Sequence, residues 1–191
     1  MEKGKILLNN HQFPPILLLG SGNMRQDNAL RIDINSRVQP DILHDLDSFP
    51  YPFLDNTFSR IECYDILEHL EDLVSVMQEI HRIGMPKAHI VITTPHFSSA
   101  NAYTDPTHRH FLGYYFFDYF TGENEWSFYT NVRFEKKEVY LHFYPSFLNR
   151  CISFIANHKP KFYEQRLAWI FPAWYLYIEL EIVKNEACQI G

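Results

Sequence analysis

The chain has 191 residues and a formal net charge of -6, a length that one domain with a single core accommodates. The acidic excess sits in residues 1–95, with 8 Lys and Arg against 13 Asp and Glu, whereas residues 96–191 carry 9 against 10. No basic face is left for a phosphate backbone, which argues against nucleic acid as a partner.

The chain begins Met1-Glu2-Lys3-Gly4-Lys5, and a short apolar patch then gives way to Asn9-Asn10-His11. The long apolar core and small-residue cleavage site of a secretory leader are missing, so a cytoplasmic location is expected. Ile16-Leu17-Leu18-Leu19 is a continuous apolar run ending in Gly20-Ser21-Gly22, the pattern of a buried parallel strand that breaks into a tight turn. Further short strands are expected at Leu30–Ile34, Asp41–His44 and Arg60–Tyr64, each bounded by polar or Pro-containing turns. Leu70, Leu73, Val74, Met77 and Ile80 recur at helical spacing with Glu71 and Asp72 in the first turn, which predicts a helix over 70–81.

Ala88–Pro95 is rich in β-branched residues and reads as a fifth strand, completing a βαβ crossover and implying a mostly parallel sheet. A polar loop with three histidines follows, then an aromatic block over Phe111–Phe120 in which a helix is expected. Glu135–Phe143 and Tyr175–Val183 read as two more strands around a helical stretch near Ser146–Asn157, giving seven strands. The most apolar late stretch, Trp169–Leu180, is interrupted by Pro172 and far too short to span a bilayer, so no transmembrane segment is expected. Cys63, Cys151 and Cys188 are odd in number and far apart, and read as reduced thiols. One domain is expected over 1–191, in two halves. Aromatics make up 16% of the chain and 25 of the 31 lie after residue 95, so 1–95 reads as a cofactor-binding half and 96–191 as an aromatic-rich acceptor half. Most of those rings must be core; an exposed patch of them would point to sugar stacking, lipid contact or a homodimer.

Open parallel sheets bind ligands beyond the carboxyl ends of their strands, where glycines admit the backbone and a carboxylate holds ribose hydroxyls. Gly20, Gly22 and Asp33 fit that scheme. The 13 positions from Gly20 to Asp33 are fewer than the roughly 20 of a dinucleotide fold, so little helix is available to receive a pyrophosphate. Asp33, Asp41, Asp45 and Asp47 make the region acidic, which suits a cationic ligand better than a polyphosphate.

The segments Leu17-Leu18-Leu19-Gly20-Ser21-Gly22, Ile32-Asp33-Ile34, His44-Asp45-Leu46-Asp47, Pro52–Phe58 and Ile66-Leu67-Glu68-His69-Leu70 resemble, in order and spacing, the class I S-adenosylmethionine-dependent methyltransferases. Within these the likeness is to a short bacterial branch of the type-11 group. The resemblance implies an α/β, Rossmann-like methyltransferase fold: a mostly parallel seven-stranded sheet with helices on both faces. It implies S-adenosyl-L-methionine as cofactor, with Gly20, Ser21 and Gly22 against the methionine moiety and Asp33 beside Ile34 on the ribose. Asp45 and Leu46 would flank the adenine, and Tyr64 would lie near the methyl group. Leu18 departs from the family, many members of which have an acid there.

Methylating a hydroxyl needs a base, and histidine suits that task at neutral pH. His108 and His110 are the candidates, with His69 of the Glu68-His69 pair beside them as a base or a structural hydrogen-bonding partner. Asp105, His108 and His110 are a competing set for a divalent metal, but their spacing is not diagnostic and no metal is assigned. The bland alternative has Asp105 cap a helix while the histidines merely pack. The expected acceptor is a small molecule or a glycan, a sugar hydroxyl first. The competing classes are a nicotinamide-dependent oxidoreductase, for which the glycine-to-acid gap is short and a third glycine is missing, and a non-catalytic methyltransferase-like module, for which Leu18 is the hint.

Overall fold

The computed structural model describes residues 15–123 and 125–184; the stretch read for a leader and Cys188 lie outside them. Seven strands form one sheet in the order β3-β2-β1-β4-β5-β7-β6. They are β1 (Ile16–Leu19), β2 (Ala29–Asp33), β3 (Ile42–Leu43), β4 (Phe58–Tyr64), β5 (Gly84–Pro95), β6 (Arg133–His142) and β7 (Tyr175–Val183). Only β7 runs against the rest, antiparallel to both its neighbours. β1 is an interior strand and its Leu17, Leu18 and Leu19 are buried, which explains why its sequence is uniformly apolar rather than alternating.

The helices are α1 (Leu73–Ile83), the single turns α2 (Asn101–Thr104) and α3 (Asp118–Thr121), α4 (Phe147–His158) and α5 (Pro160–Arg166). α1 starts later than the apolar periodicity suggests because Asp72 caps it, its Oδ1 accepting from the Val74 and Ser75 N–H groups. Leu70 instead ends a 3-10 turn over Leu67–His69. At its other end α1 passes straight into β5 at Gly84, whose missing side chain makes room for Ile182 of β7: a Cβ there would stand 2.3 Å from Ile182 Cδ1. The helix expected in Phe111–Phe120 shrinks to α3. Phe116 N–H closes a turn on Gly113 O and Tyr114 N–H is drawn to Glu164 of α5, so consecutive turns replace an i→i−4 ladder. α5 itself, with Pro160 in its first turn, was not legible from periodicity.

The pairing register sorts the side chains onto two unlike faces. Leu30, Ile32, Leu17, Leu19, Ile61, Cys63, Ile90, Ile92, Leu180 and Ile178 fall on one face and all are buried. The other carries the buried Leu18 and Val91 but also Arg60, Glu62, Tyr64, His89, Tyr177 and Glu179. Its polar groups pair across strands, His89 Nδ1 lying 2.6 Å from Glu179 Oε1 and Lys137 Nζ 3.3 Å from Glu181 Oε2. Cys63 is buried and Cys151 exposed, both as free thiols. No helix among the described residues is long and apolar enough to cross a membrane.

Strand order reverses at β1: the chain runs outward through β2 and β3, then returns so that β4 pairs with the other side of β1. Such a reversal opens a crevice beyond the carboxyl ends of the two strands.

Candidate active site

The crevice begins where β1 stops. Gly20 turns at φ +63°, and its N–H and that of Ser21 both donate to Ile32 O, at 2.9 and 3.1 Å. A Cβ on Gly20 would lie 2.3 Å from Ile66 Cγ1, so this glycine lets the segment after β4 close onto the β1 turn. Gly22, at φ +49°, has nothing within 4 Å of the equivalent position and faces open space. Asp33 ends β2 with both oxygens engaged, Oδ2 accepting from Gly22 N–H and Oδ1 from Asn35 N–H, each at 2.8 Å. Each oxygen keeps a further lone pair for a hydroxyl donor.

Ser21 is buried, and its Oγ has no hydrogen-bond partner among the described residues, an orphan that a ligand would satisfy. Ile34 and Leu43 stand 66% and 61% exposed at the tips of β2 and β3, an apolar surface beside the carboxylate. Asp45 is exposed and its Oδ1 accepts from Asp47 N–H, while Leu46 is buried with its carbonyl held by the Tyr51 hydroxyl. The cradle offers a carboxylate, a hydroxyl without a partner among the described residues and an open glycine, a set that fits a nucleoside. Tyr64 closes β4 near Glu62; burial first, then that carboxylate, push its phenol up to about 12. The strand register places it on the polar sheet face.

The second half of the crevice forms where the 105–110 loop folds onto the 3-10 turn after β4. Glu68 O accepts from both Arg109 and His110 N–H, at 2.7 and 3.2 Å, and the Arg109 guanidinium pairs with Glu71. His110 Nε2 donates to Leu70 O at 2.9 Å, so this ring pins the loop. His108 Nδ1 donates to Ala102 O at 2.9 Å, which leaves Nε2 as a lone-pair donor. The Thr107 hydroxyl donates to Asp105 Oδ1 at 2.7 Å, so His69 Nδ1, 2.8 Å from Thr107 Oγ1, must be the donor in that contact and its Nε2 is also a lone pair. Burial, then the charge of His108, hold His69 below its usual value, which keeps it neutral near pH 7.

The rings of His69 and His108 meet edge-on, centroids 4.7 Å apart. Beside them Glu68 is buried, its carboxylate closing no full hydrogen bond among the described residues although its own N–H and the Thr94 hydroxyl act on it. Burial, reinforced by Asp65, raises it to about 7. Asp65 reaches across to the Tyr175 hydroxyl of β7 at 3.4 Å. Tyr103 and Phe111 stack at 4.7 Å on the outer side of the loop, both exposed.

The structure thus separates the candidate histidines. His69 and His108 come together with Glu68, whereas His110 is a clamp and Asp105 serves Thr107, so the set Asp105, His108 and His110 does not converge. His96, at the end of β5, is fully buried between Ser98 and Glu164. Sequence reasoning passed over Ile66, Thr107 and Tyr175. Glu68 was at hand as the neighbour of His69, but nothing in sequence signals Tyr175, 110 residues from Asp65.

Residues 23–92 match the family described as a methyltransferase domain. No curated protein matches the chain. Among solved structures, one similar chain is a SAM-dependent methyltransferase from Archaeoglobus fulgidus, at 15% identity, covering 89% of this chain and 86% of that one with a TM-score of 0.61. An S-adenosylmethionine-dependent methyltransferase from Mesorhizobium loti, also 15% identical, gives 91%, 93% and 0.55. Phosphoethanolamine N-methyltransferase 2 of Haemonchus contortus, solved with S-adenosyl-L-methionine, gives 12% identity, 90%, 48% and 0.53. At these identities the likeness is one of fold.

Proposed function

We propose that this chain is a class I S-adenosylmethionine-dependent methyltransferase and that it methylates a hydroxyl of a small-molecule or glycan acceptor, a sugar hydroxyl first. The observation that carries this reading is Ile66, which packs against the Gly20 turn beside the Ser21, Gly22 and Asp33 cradle and caps the turn that carries Glu68 and His69, with His108 close to both. When bound, the cofactor supplies an electrophilic methyl group on a sulfonium.

The chain's own residues do the rest. Asp33, fixed by Gly22 and Asn35, accepts from the ribose hydroxyls, and Ser21 Oγ gains the partner it lacks. Gly20 shapes the turn through its contact with Ile66. Ile34 offers apolar contact to the nucleoside, with Asp45 and Leu46 flanking the base and Tyr64 at the strand end. The acceptor enters over the 105–111 loop, where the stacked Tyr103 and Phe111 offer a ring face. Its hydroxyl meets the free ring nitrogens of His69 and His108, which accept its hydrogen bond and take its proton, while His110 holds the loop in place. Much of the rate comes from holding the acceptor oxygen aligned and close.

Titration calorimetry with S-adenosylhomocysteine tests the cofactor half: saturable binding to the wild type that Asp33→Ala weakens by about tenfold or more. Transfer of labelled methyl from S-adenosylmethionine to a panel of sugars, glycans, phenols and amines tests the acceptor. Label in sugars or glycans supports the proposal. Label in amines alone overturns the hydroxyl assignment, and binding without transfer to any acceptor makes the chain a binding module.

A further inference from the structure

We propose that Glu68, His69 and His108 form a binding site for a divalent transition-metal cation at the acceptor end of the crevice. One ligand atom from each of the three lies within 4.8 Å of the others. A cation with bonds near 2.0–2.2 Å holds neighbouring ligands about 3–3.5 Å apart, so binding would draw the three groups closer together.

Two independent features point to a cation rather than a fortuitous cluster. Both histidines are oriented from behind: His108 Nδ1 by the Ala102 carbonyl, His69 Nδ1 by Thr107 and through it Asp105. This is the outer-shell arrangement that fixes the tautomer of metal-binding imidazoles. In addition, Glu68 is 1% exposed, yet neither of its oxygens closes a full hydrogen bond among the described residues. The Thr94 hydroxyl and the Glu68 N–H act on this carboxylate without closing a full hydrogen bond, so two carboxylate oxygens and two imidazole nitrogens still present more acceptors than the site has donors. Two nitrogens and a carboxylate favour zinc, manganese, iron(II) or cobalt over magnesium or calcium. In the metal-loaded protein the two imidazoles are ligands and no longer bases: three protein ligands leave positions for water or an acceptor oxygen, whose pKa the cation lowers, and the proton passes to solvent. Only that last use rests on the hydroxyl-methylation reading; the site stands on its donor set.

The test is titration of chelator-treated full-length protein with cobalt(II), followed by ligand-field absorption, and with zinc(II) by calorimetry. One equivalent is expected to bind. Glu68→Gln and His108→Ala should each weaken cobalt binding by about 100-fold or more, while His158→Ala, on α4, leaves it unchanged. Homocysteine-adduct binding, measured as the thermal shift with S-adenosylhomocysteine, reports on folding; should His108→Ala fail that check, the near-isosteric Glu68→Gln decides. Wild-type protein that takes up neither metal stoichiometrically, or binding that survives Glu68→Gln, overturns the proposal. Metal binding without S-adenosylhomocysteine binding would instead leave the site standing and remove the methyl-transfer reading.

Discussion

Two neighbouring residues of the β1 turn have opposite relations to stability. Gly20 combines positive φ with a Cβ position already filled by Ile66, so Gly20→Ala should cost about 2–5 kcal/mol from backbone strain and overpacking together. Adding Ile66→Ala should recover the packing share and leave the backbone share, which urea melts of the single and double variants will separate. Ser21→Ala removes a buried hydroxyl that has no partner, so the ligand-free melting temperature should hold or rise. The rise on adding S-adenosylhomocysteine should shrink. A variant that melts lower without ligand, and shifts as before with it, would make Ser21 structural. The glycines and Asp33 were legible because backbone approach and a terminal carboxylate leave a mark on the residue type itself. Ile66 leaves none, since an isoleucine that covers a glycine looks like any other.

At the scale of elements, polar side chains settle the boundaries that apolar periodicity blurs. Asp72 sets the start of α1, and hydrogen bonds from Ser75 hold its carboxyl below the usual range. Asp72→Ala should therefore cost about 1 kcal/mol at neutral pH. Because the folded state binds this proton less tightly, the stabilisation is complete above the unfolded value of 3.8 and is lost as pH falls through the lower folded value. The gap between wild type and variant in denaturant melts should close in that direction. Arg82, near the end of the same helix, donates to Glu79 and Asp55 and to the carbonyls of Tyr51 and Phe53. It thereby ties the segment before β4 to α1. A lysine cannot reproduce that planar fork, so Arg82→Lys should cost about 1–3 kcal/mol, read from the same melts. The strands β1, β6 and β7 were close to their sequence readings. The 111–117 run was not, because the pull of Glu164 on Tyr114 comes from 50 residues away.

For the whole molecule, the seven strands and the mostly parallel sheet could be counted from periodicity, but the sorting of its two faces could not. Burial of β7 alternates cleanly, yet only the register says that Tyr177 and Glu179 share a face with Arg60, Glu62 and His89. The aromatic excess divides accordingly. Phe117, Phe120, Phe134 and Tyr163 are core, whereas Phe147 stands 86% exposed and composition alone would not have told it from them. The candidate site was legible in its cofactor half, which is built from one continuous stretch, and only partly in its acceptor half, which joins residues 65–69, 101–111 and 175.

The position of β7 also bears on how the molecule comes to be. It is the last of the described strands in sequence but occupies an interior slot, between β5 and β6. Until residues 175–183 have left the ribosome, β6 has no strand to pair with and Asp65 has no tyrosine to reach. A chain ending before residue 175 would therefore lack the Asp65–Tyr175 contact even with its first five strands assembled.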